Sequence, residues 1–295
     1  MRRLARFTVA SFVAVSLLAG ALRAQGHDLA IDFRMTETGM AGGKPVNGTG
    51  TGHADMSGDR VRYDMTGNTR AMAMPGMTQG DSMTVIILDS GTTFITVEPK
   101  KRQYMRMRPA ETMAGMQKMM EGMGAAMKFD ITGDDPKVEK LEVGPVILGH
   151  HTMHYRISGV MKVTLAAMGE RQGVEVSSMF DVYVSPDIKS VTDPFRNLGS
   201  NMMGGMFGPS WKTYMDKMKA ARAKVPGFPL RAETHVITTA AAQASDITTV
   251  QEITAIHMIT ASPSLFDVPA GYTEVTLPNM PTMPPRHEPA PSTKH

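Results

Sequence analysis

Apolar and polar residues alternate along most of the chain, which is the pattern of half-buried β-strands. The first segment to show it places apolar side chains at every second position: Leu29, Ile31, Phe33 and Met35. The same alternation returns after the turn signal Ser57-Gly58-Asp59, at Val61, Tyr63 and Met65. Each segment predicts a strand with one face in a core and the other in water.

Short connections predict that the next strands are antiparallel neighbours. Residues 84–88 and 92–97 flank the turn Asp89-Ser90-Gly91 and form the clearest hairpin of the chain. Residues 98–101 turn the chain again into a strand over 103–107.

The second half of the chain continues in the same way. Strands are predicted over 151–165 and 174–184, paired across 169–173, then over 230–239 and 247–259, with a short one after Gly271. Regular alternation of strands with helices is missing. The sequence therefore predicts a mainly β (α+β) fold, in which a curled antiparallel sheet forms an unclosed half-barrel.

Two amphipathic helices are predicted to cover this sheet, over 110–128 and 211–225. At 100° per residue, the methionines of the first helix fall within an arc of about 120°. They are Met113, Met116, Met119, Met120, Met123 and Met127. Ser210 is a candidate N-cap of the second helix, and Pro226 follows its end.

The chain ends suggest an exported protein. Residues 1–24 have an arginine-rich start and an apolar run too short for a comfortable membrane span, as in a secretory signal peptide. Residues 25–277 are predicted to form one β-rich domain, and residues 278–295, with six prolines, a disordered tail. The expected location is the periplasm or the exterior.

The composition of the chain argues against several classes of function. Residues 1–24 contain four arginines and no acid, so their removal turns the net charge of +3 into −1 and weakens any case for nucleic-acid binding. The chain has no cysteine, which excludes thiolate metal sites, cysteine nucleophiles and a lipoprotein anchor. Common catalytic motifs are also missing, so we expect a protein that is not an enzyme.

Methionine is abundant, at 29 of 295 residues. One interpretation treats the methionine face of helix 110–128 as core filler. A second treats it as a deformable cover over an apolar ligand, because methionine is flexible and polarizable. The loop around 201–207 would complete that cover, and the candidate ligand-binding residues are the six methionines of the helix with Met203, Met206 and Phe207.

A third interpretation is a copper site, since thioethers select Cu(I). The candidate ligands are the paired methionines Met72 and Met74, and Met105 and Met107. Cleavage after Ala24 would also place Gln25 and His27 in a new amino terminus suited to Cu(II). His150, His151 and His154 are spaced too widely on a strand to share one zinc ion, so no metal or cofactor is favoured.

The second helix carries an apolar arc opposite a lysine-rich side. Trp211, Tyr214, Met215, Met218, Ala221 and Val225 form that arc. Such a helix docks on its own domain or makes transient contact with an anionic membrane surface. Both alternatives stay open at the level of sequence.

Short segments of the chain resemble a family of exported bacterial proteins of unknown function, allied to the LolA-like periplasmic lipoprotein carriers. The resemblance is carried by Ser264-Leu265-Phe266-Asp267-Val268-Pro269-Ala270-Gly271-Tyr272, by 84–89, by 98–104, by 149–155 and by 227–231. It implies an unclosed β-barrel around helices, with an apolar cavity that holds acyl chains in the carriers.

These observations together predict a non-enzymatic, exported protein that binds a hydrophobic small molecule or lipid. Periplasmic copper binding through methionine thioethers is one alternative. A structural protein of the cell envelope is the other.

Overall fold

The computed structural model describes residues 28–69, 82–108, 111, 127–167, 170–188, 210, 213–240 and 243–275. Thirteen strands make up its sheet. They are β1 (Asp28–Ala41), β2 (Lys44–Ser57), β3 (Arg60–Gly67), β4 (Met83–Leu88), β5 (Thr93–Glu98), β6 (Gln103–Met107), β7 (Met127–Gly133), β8 (Lys137–Val143), β9 (Met153–Ala167), β10 (Glu170–Ser185), β11 (Phe228–Ala240), β12 (Gln243–Ile259) and β13 (Thr273–Glu274). Residues 213–222 form an α-helix, α1.

The strands lie in the order β13-β6-β5-β4-β3-β2-β1-β12-β11-β10-β9-β7, and β8 pairs with β9. Every pairing is antiparallel except that of β13 with β6. The sheet curls without closing into a barrel. The predicted fold class is therefore confirmed.

Pairing of β1 with β12 joins the two halves of the chain. It runs from Asp28 opposite Ile259 to Ala41 opposite Ser245, with one irregularity between Asp32 and Phe33. Strands from both ends of the described chain therefore belong to one sheet. The predicted signal peptide, the domain limits at 25 and 277 and the tail 278–295 lie outside the described residues.

Side chains alternate between the two faces of the sheet. We call the face that carries Leu29, Ile31, Phe33 and Met35 the inner face, and the opposite one the outer face. Helix α1 packs on the inner face, where Ala221 contacts the cluster of Tyr155 and Ile157. Tyr214 packs beside Ile131 and Met161.

The outer face is covered at the β4–β5–β6 end by the segment after β12. Phe266, in the 3₁₀ turn Pro263–Phe266, is buried against Ile86, Ile95 and Val97. The guanidinium of Arg60 lies 4.7 Å from the centroid of the Phe266 ring. The carboxy-terminal motif that carried the family resemblance thus has a packing role.

Several sequence predictions of local structure were wrong. The predicted helix 110–128 ended too late, because Met127 and Lys128 begin strand β7. The predicted turn 169–173 is shorter, since Glu170 already pairs with Ala167. Strand β2 was not predicted, because the glycines at positions 48, 50 and 52 break the apolar alternation.

Ser210, the candidate cap of the second helix, also contacts the sheet. Ser210 is itself helical, and its hydroxyl oxygen accepts a hydrogen bond from the backbone N–H of Ile131 at 3.2 Å. This serine therefore ties the helical segment to β7.

Candidate functional site

The inner face of β1 and its neighbours is a continuous apolar surface. The alternation seen in the sequence sends every second side chain of β1 to this face, and Leu29, Ile31, Phe33 and Met35 are all nearly inaccessible to solvent. The strand register extends this apolar surface onto the neighbouring strands, since Ile31 pairs with Ala54 of β2, and Ala54 pairs with Tyr63 of β3.

The surface extends over seven strands, β1 to β5 with β11 and β12. Its buried members are Leu29, Ile31, Phe33, Met35, Ala54, Val61, Tyr63, Met65, Met83, Val85, Ile87, Phe94, Phe228, Leu230 and Ile253. We call this set the inner cluster. The inner cluster is therefore one continuous apolar layer on one side of a curled sheet.

Glycines of β2 allow large side chains to lie against the sheet. Gly52 faces Phe33 across the strand pair, and a Cβ atom at position 52 would overlap the Phe33 ring. The Phe33 and Tyr63 rings meet edge to face, with centroids 6.3 Å apart. The glycines that obscured β2 in the sequence are therefore part of how the apolar surface is built.

A polar row borders the inner cluster at mid-sheet. Glu37 pairs with Thr249, and Thr249 pairs with Thr234, so that the three side chains line up across β1, β12 and β11. All three are buried, as is Gln251 in the adjacent row. The amide oxygen of Gln251 has no hydrogen-bond partner within the described residues. The row thus places buried polar side chains, and the unpaired amide oxygen of Gln251, next to an apolar surface.

Sequence reasoning missed the polar row. Glu37 and Thr249 are more than two hundred residues apart, and only the β1–β12 register brings them together. The one local signal was that Glu37 occupies a position where the two-residue alternation of β1 otherwise places apolar side chains. This alternation places Glu37 on the same face as Phe33 and Met35.

The outer face carries charged side chains in matched pairs. Asp181 of β10 accepts hydrogen bonds from Arg156 at 2.8 and 3.0 Å, and its Oδ1 lies 2.9 Å from His154 Nε2. Burial raises the pKa of the Asp181 carboxyl, but the hydrogen bonds from Arg156 and His154 outweigh it and hold that pKa below its usual value. His154 also stacks on Tyr183.

A second outer-face group lies on β1, β2 and β12. The Nδ1 atom of His53 is 2.6 Å from Asp32 Oδ1, and its Nε2 atom is 3.2 Å from Asp55 Oδ1. His257 Nε2 lies 3.5 Å from the other oxygen of Asp32. Partial burial lowers the pKa of His53, yet contact with Asp32 and Asp55 leaves it raised overall.

These groups form salt bridges and do not build a metal centre. In the described part of the chain, no three His, Asp or Glu side chains converge in a way that could hold a metal ion. His154 is buried and engaged with Asp181, whereas His150 pairs with Ile147 and His151 lies in the connection before β9. The outer face thus supplies stability to the sheet.

The predicted methionine site lies mostly outside the described residues. This holds for Met113, Met116, Met119, Met120, Met123, Met203, Met206 and Phe207, while Met127 lies in β7 and its side chain is not described. Other methionines are core residues of the inner face, among them Met35, Met65, Met83 and Met161. The role of the methionine helix as a cover stays a prediction.

The copper candidates divide in the same way. Gln25, His27, Met72 and Met74 lie outside the described residues. Met105 and Met107 share the inner face of β6, opposite Thr96 and Phe94 of β5. Met107 packs against the inner cluster, as a core methionine does.

The second amphipathic helix docks on its own sheet. Tyr214 and Ala221 are buried, and Met215 and Met218 pack beside them. Lys217 on the basic side forms a 2.7 Å ion pair with Asp135. Only the basic side of α1 is left for contact with a membrane. No helix within the described residues is long and apolar enough to span one.

Comparisons with known proteins give faint similarities. No family model matches the chain, and no curated protein matches its sequence. Two structures of PNGF-II are 10% and 11% identical with TM-scores of 0.24 and 0.22; each covers 84% of this chain, which spans about a third of their length (32% and 31%).

Two further structures show similarity of the same order. A DUF1329 family protein from Desulfovibrio piger is 9% identical with a TM-score of 0.27, over 82% of this chain and 90% of its own. A structure of lipovitellin, described in terms of lipid–protein interactions, is 6% identical with a TM-score of 0.28, over 81% of this chain and 26% of its own. These low scores assign the chain to no family, and the resemblance to the LolA-like carriers stays a prediction.

Proposed function

We propose that this is an exported, non-enzymatic protein that binds a hydrophobic ligand, a lipid or an acyl chain, against the inner face of its half-barrel. The observation that carries the proposal is the inner cluster, which places fifteen buried side chains from seven neighbouring strands on one side of a curled sheet. Export is proposed from the signal-like residues 1–24.

The hydrophobic effect would supply most of the affinity. Each methylene group of an acyl chain that leaves water contributes about 0.8 kcal/mol. Partly buried side chains at the margin of the cluster, such as Met56 and Met107, would contact the chain where it enters. The methionine-rich residues 110–126, which precede β7, and residues 201–207 would form an adaptable cover, because methionine side chains repack around ligands of different shape.

The polar row gives the proposed ligand an orientation. Glu37, Thr234 and Thr249 border the apolar surface, with the amide oxygen of Gln251 beside them. An unpaired buried acceptor such as the Gln251 amide oxygen favours a ligand group that donates hydrogen bonds. We therefore propose an amphipathic ligand whose polar end, a hydroxyl or an amine, lies at this row.

A fluorescent acyl probe tests the proposal. We expect residues 25–295 to bind a dansyl-labelled fatty acid or fatty amine, and M107Q on the inner face to weaken binding by about tenfold. The matched control is M40Q, which changes an exposed methionine on the outer face near Asp246 and leaves binding unchanged. Equal probe binding by the two variants and the unmodified protein, with both variants folded, would contradict the proposal.

A further inference from the structure

We propose that the hairpin tip formed by residues 143–148 inserts aliphatic side chains into the surface of a lipid bilayer and so docks the protein on a membrane. The tip connects β8 to β9. Its side chains of Val143, Val146 and Leu148 are 68%, 58% and 43% exposed to solvent. Large aliphatic side chains grouped within six residues are a costly surface unless something covers them.

The tip is held in place by its own hydrogen bonds. The Gly144 N–H donates to the Thr152 carbonyl at 2.9 Å, and Ile147 and His150 exchange two backbone hydrogen bonds of 3.0 and 2.9 Å. The buried Thr152 hydroxyl donates to the Pro145 carbonyl at 2.6 Å. The exposed side chains therefore stand on a fixed support.

Leu148 adopts a backbone conformation that few leucines adopt. Its φ is +51°, in the left-handed region that asparagine or glycine occupies at lower cost. A leucine there is unfavourable for folding on two counts, backbone strain and solvent exposure. Contact of this side chain with a partner such as a membrane would account for a leucine at this position.

Exposed apolar side chains are concentrated at this end of the sheet. Six large ones occur in the described residues, and four of them are Val143, Val146, Leu148 and Met258. Met258 lies opposite Leu29 near the end of β12, at the end of the sheet where β9 begins. Met40 and Ile237 face each other across Asp246 at the opposite end.

A bilayer fits this surface better than a protein partner does. A stable protein interface buries about 800 Å² on each partner, which a hairpin tip and one methionine cannot supply. A few exposed aliphatic side chains give weak, reversible insertion below the lipid headgroups, which needs no extended interface. The apolar side of α1 is not a rival, because it is packed on the sheet.

The tip also leads to the inner face. Ile147, between Val146 and Leu148, packs against the inner cluster. Docking here would bring the margin of the inner face to the membrane surface, where a lipid could enter or leave. This step rests on the proposed function, whereas the docking surface itself rests on the hairpin.

Vesicle flotation tests the proposal with residues 25–295. Phosphatidylcholine vesicles and vesicles that also contain phosphatidylglycerol are each used at low and high salt. We expect binding to both vesicle types that high salt does not abolish. The double variant V146S/L148N should lower the partition coefficient at least tenfold. Asparagine tolerates a positive φ, so this variant stays folded.

The control variant is I237S, which removes an exposed aliphatic side chain at the opposite end of the sheet and leaves vesicle binding unchanged. Acyl-probe binding in the absence of vesicles is measured in parallel. Loss of vesicle binding by V146S/L148N with retained probe binding would support docking through the hairpin.

Two results would overturn the docking proposal. One is unmodified protein that binds the acyl probe but no vesicle, which would leave the proposed function intact. The other is vesicle binding that needs phosphatidylglycerol and disappears at high salt, which would assign contact to the basic side of α1. If the protein floats with vesicles but does not bind the acyl probe, the proposed function is contradicted and the docking proposal is supported.

Discussion

The ring of Phe33 lies on the backbone of Gly52, so that no side chain can occupy position 52 without displacing it. We predict that G52A lowers the free energy of unfolding by about 1–3 kcal/mol, as overpacking of a core does. Urea denaturation measures this change. The control is G173A, where an added Cβ meets no atom within 4 Å, and an equal loss in both variants would contradict the packing account.

Phe266 should hold the carboxy-terminal segment on the outer face. Its ring fills the space over Ile86, Ile95 and Val97, so F266A should cost about 3–5 kcal/mol of unfolding free energy. Proteolysis of the segment 261–272 should also become faster. The neighbouring L265A removes a side chain that is only partly buried and should cost less. A larger effect of L265A would contradict this assignment.

Asp181 should stabilise the sheet in a pH-dependent way. We predict that D181N costs about 2–3 kcal/mol near neutral pH, because the charge-assisted bonds from Arg156 and His154 are weakened. The pKa of Asp181 is below its usual value of 3.8 in the folded state. Its contribution is therefore present above pH 3.8 and lost as the pH falls through the lower, folded-state pKa.

Urea midpoints of the unmodified protein and D181N, compared at neutral and strongly acidic pH, check this prediction. The gap between the two proteins should shrink in acid. A gap that stays constant would show that Asp181 acts through shape and not through its charge.

The contact of His53 with Asp32 should affect stability with the opposite pH dependence. The pKa of His53 is raised in the folded protein, so the pair adds stability below pH 6.5 that is lost as the pH rises through the folded-state pKa. D32N should lower the pKa of His53, which an NMR titration of the ring protons follows. D246N alters an outer-face acid beside His235 and should leave the His53 titration in place. An unchanged His53 pKa in D32N would contradict the pairing.

The sequence predicted most strands, because their side chains obey the period-two rule where one face is buried. It failed at β2, since Gly52 is needed under Phe33 and glycine gives no apolar signal. It also failed at Glu37, whose neighbours come from β11 and β12. Register between strands that are distant in the chain is a tertiary property, and local patterns do not encode it.

The exposed hairpin tip illustrates the same limit. Residues 143–148 look like an ordinary short apolar stretch in the sequence, and only the structure shows that Val143, Val146 and Leu148 face solvent. The amphipathic arc of the second helix, by contrast, was predicted correctly for Tyr214 and Ala221. The period of a helix shows from the sequence which of its residues share a face. The exposure of a turn instead depends on the elements that pack around it, which the local sequence does not show.

Native mass spectrometry of the mature protein, purified gently from the periplasm of its host, tests the central claim most directly. The account predicts an added mass of lipid size that organic extraction releases, and less of that mass on M107Q than on M40Q. A protein of bare polypeptide mass that also fails to bind acyl probes would contradict the account. An added mass of copper in place of lipid would contradict it too, and would direct attention to the methionine thioethers.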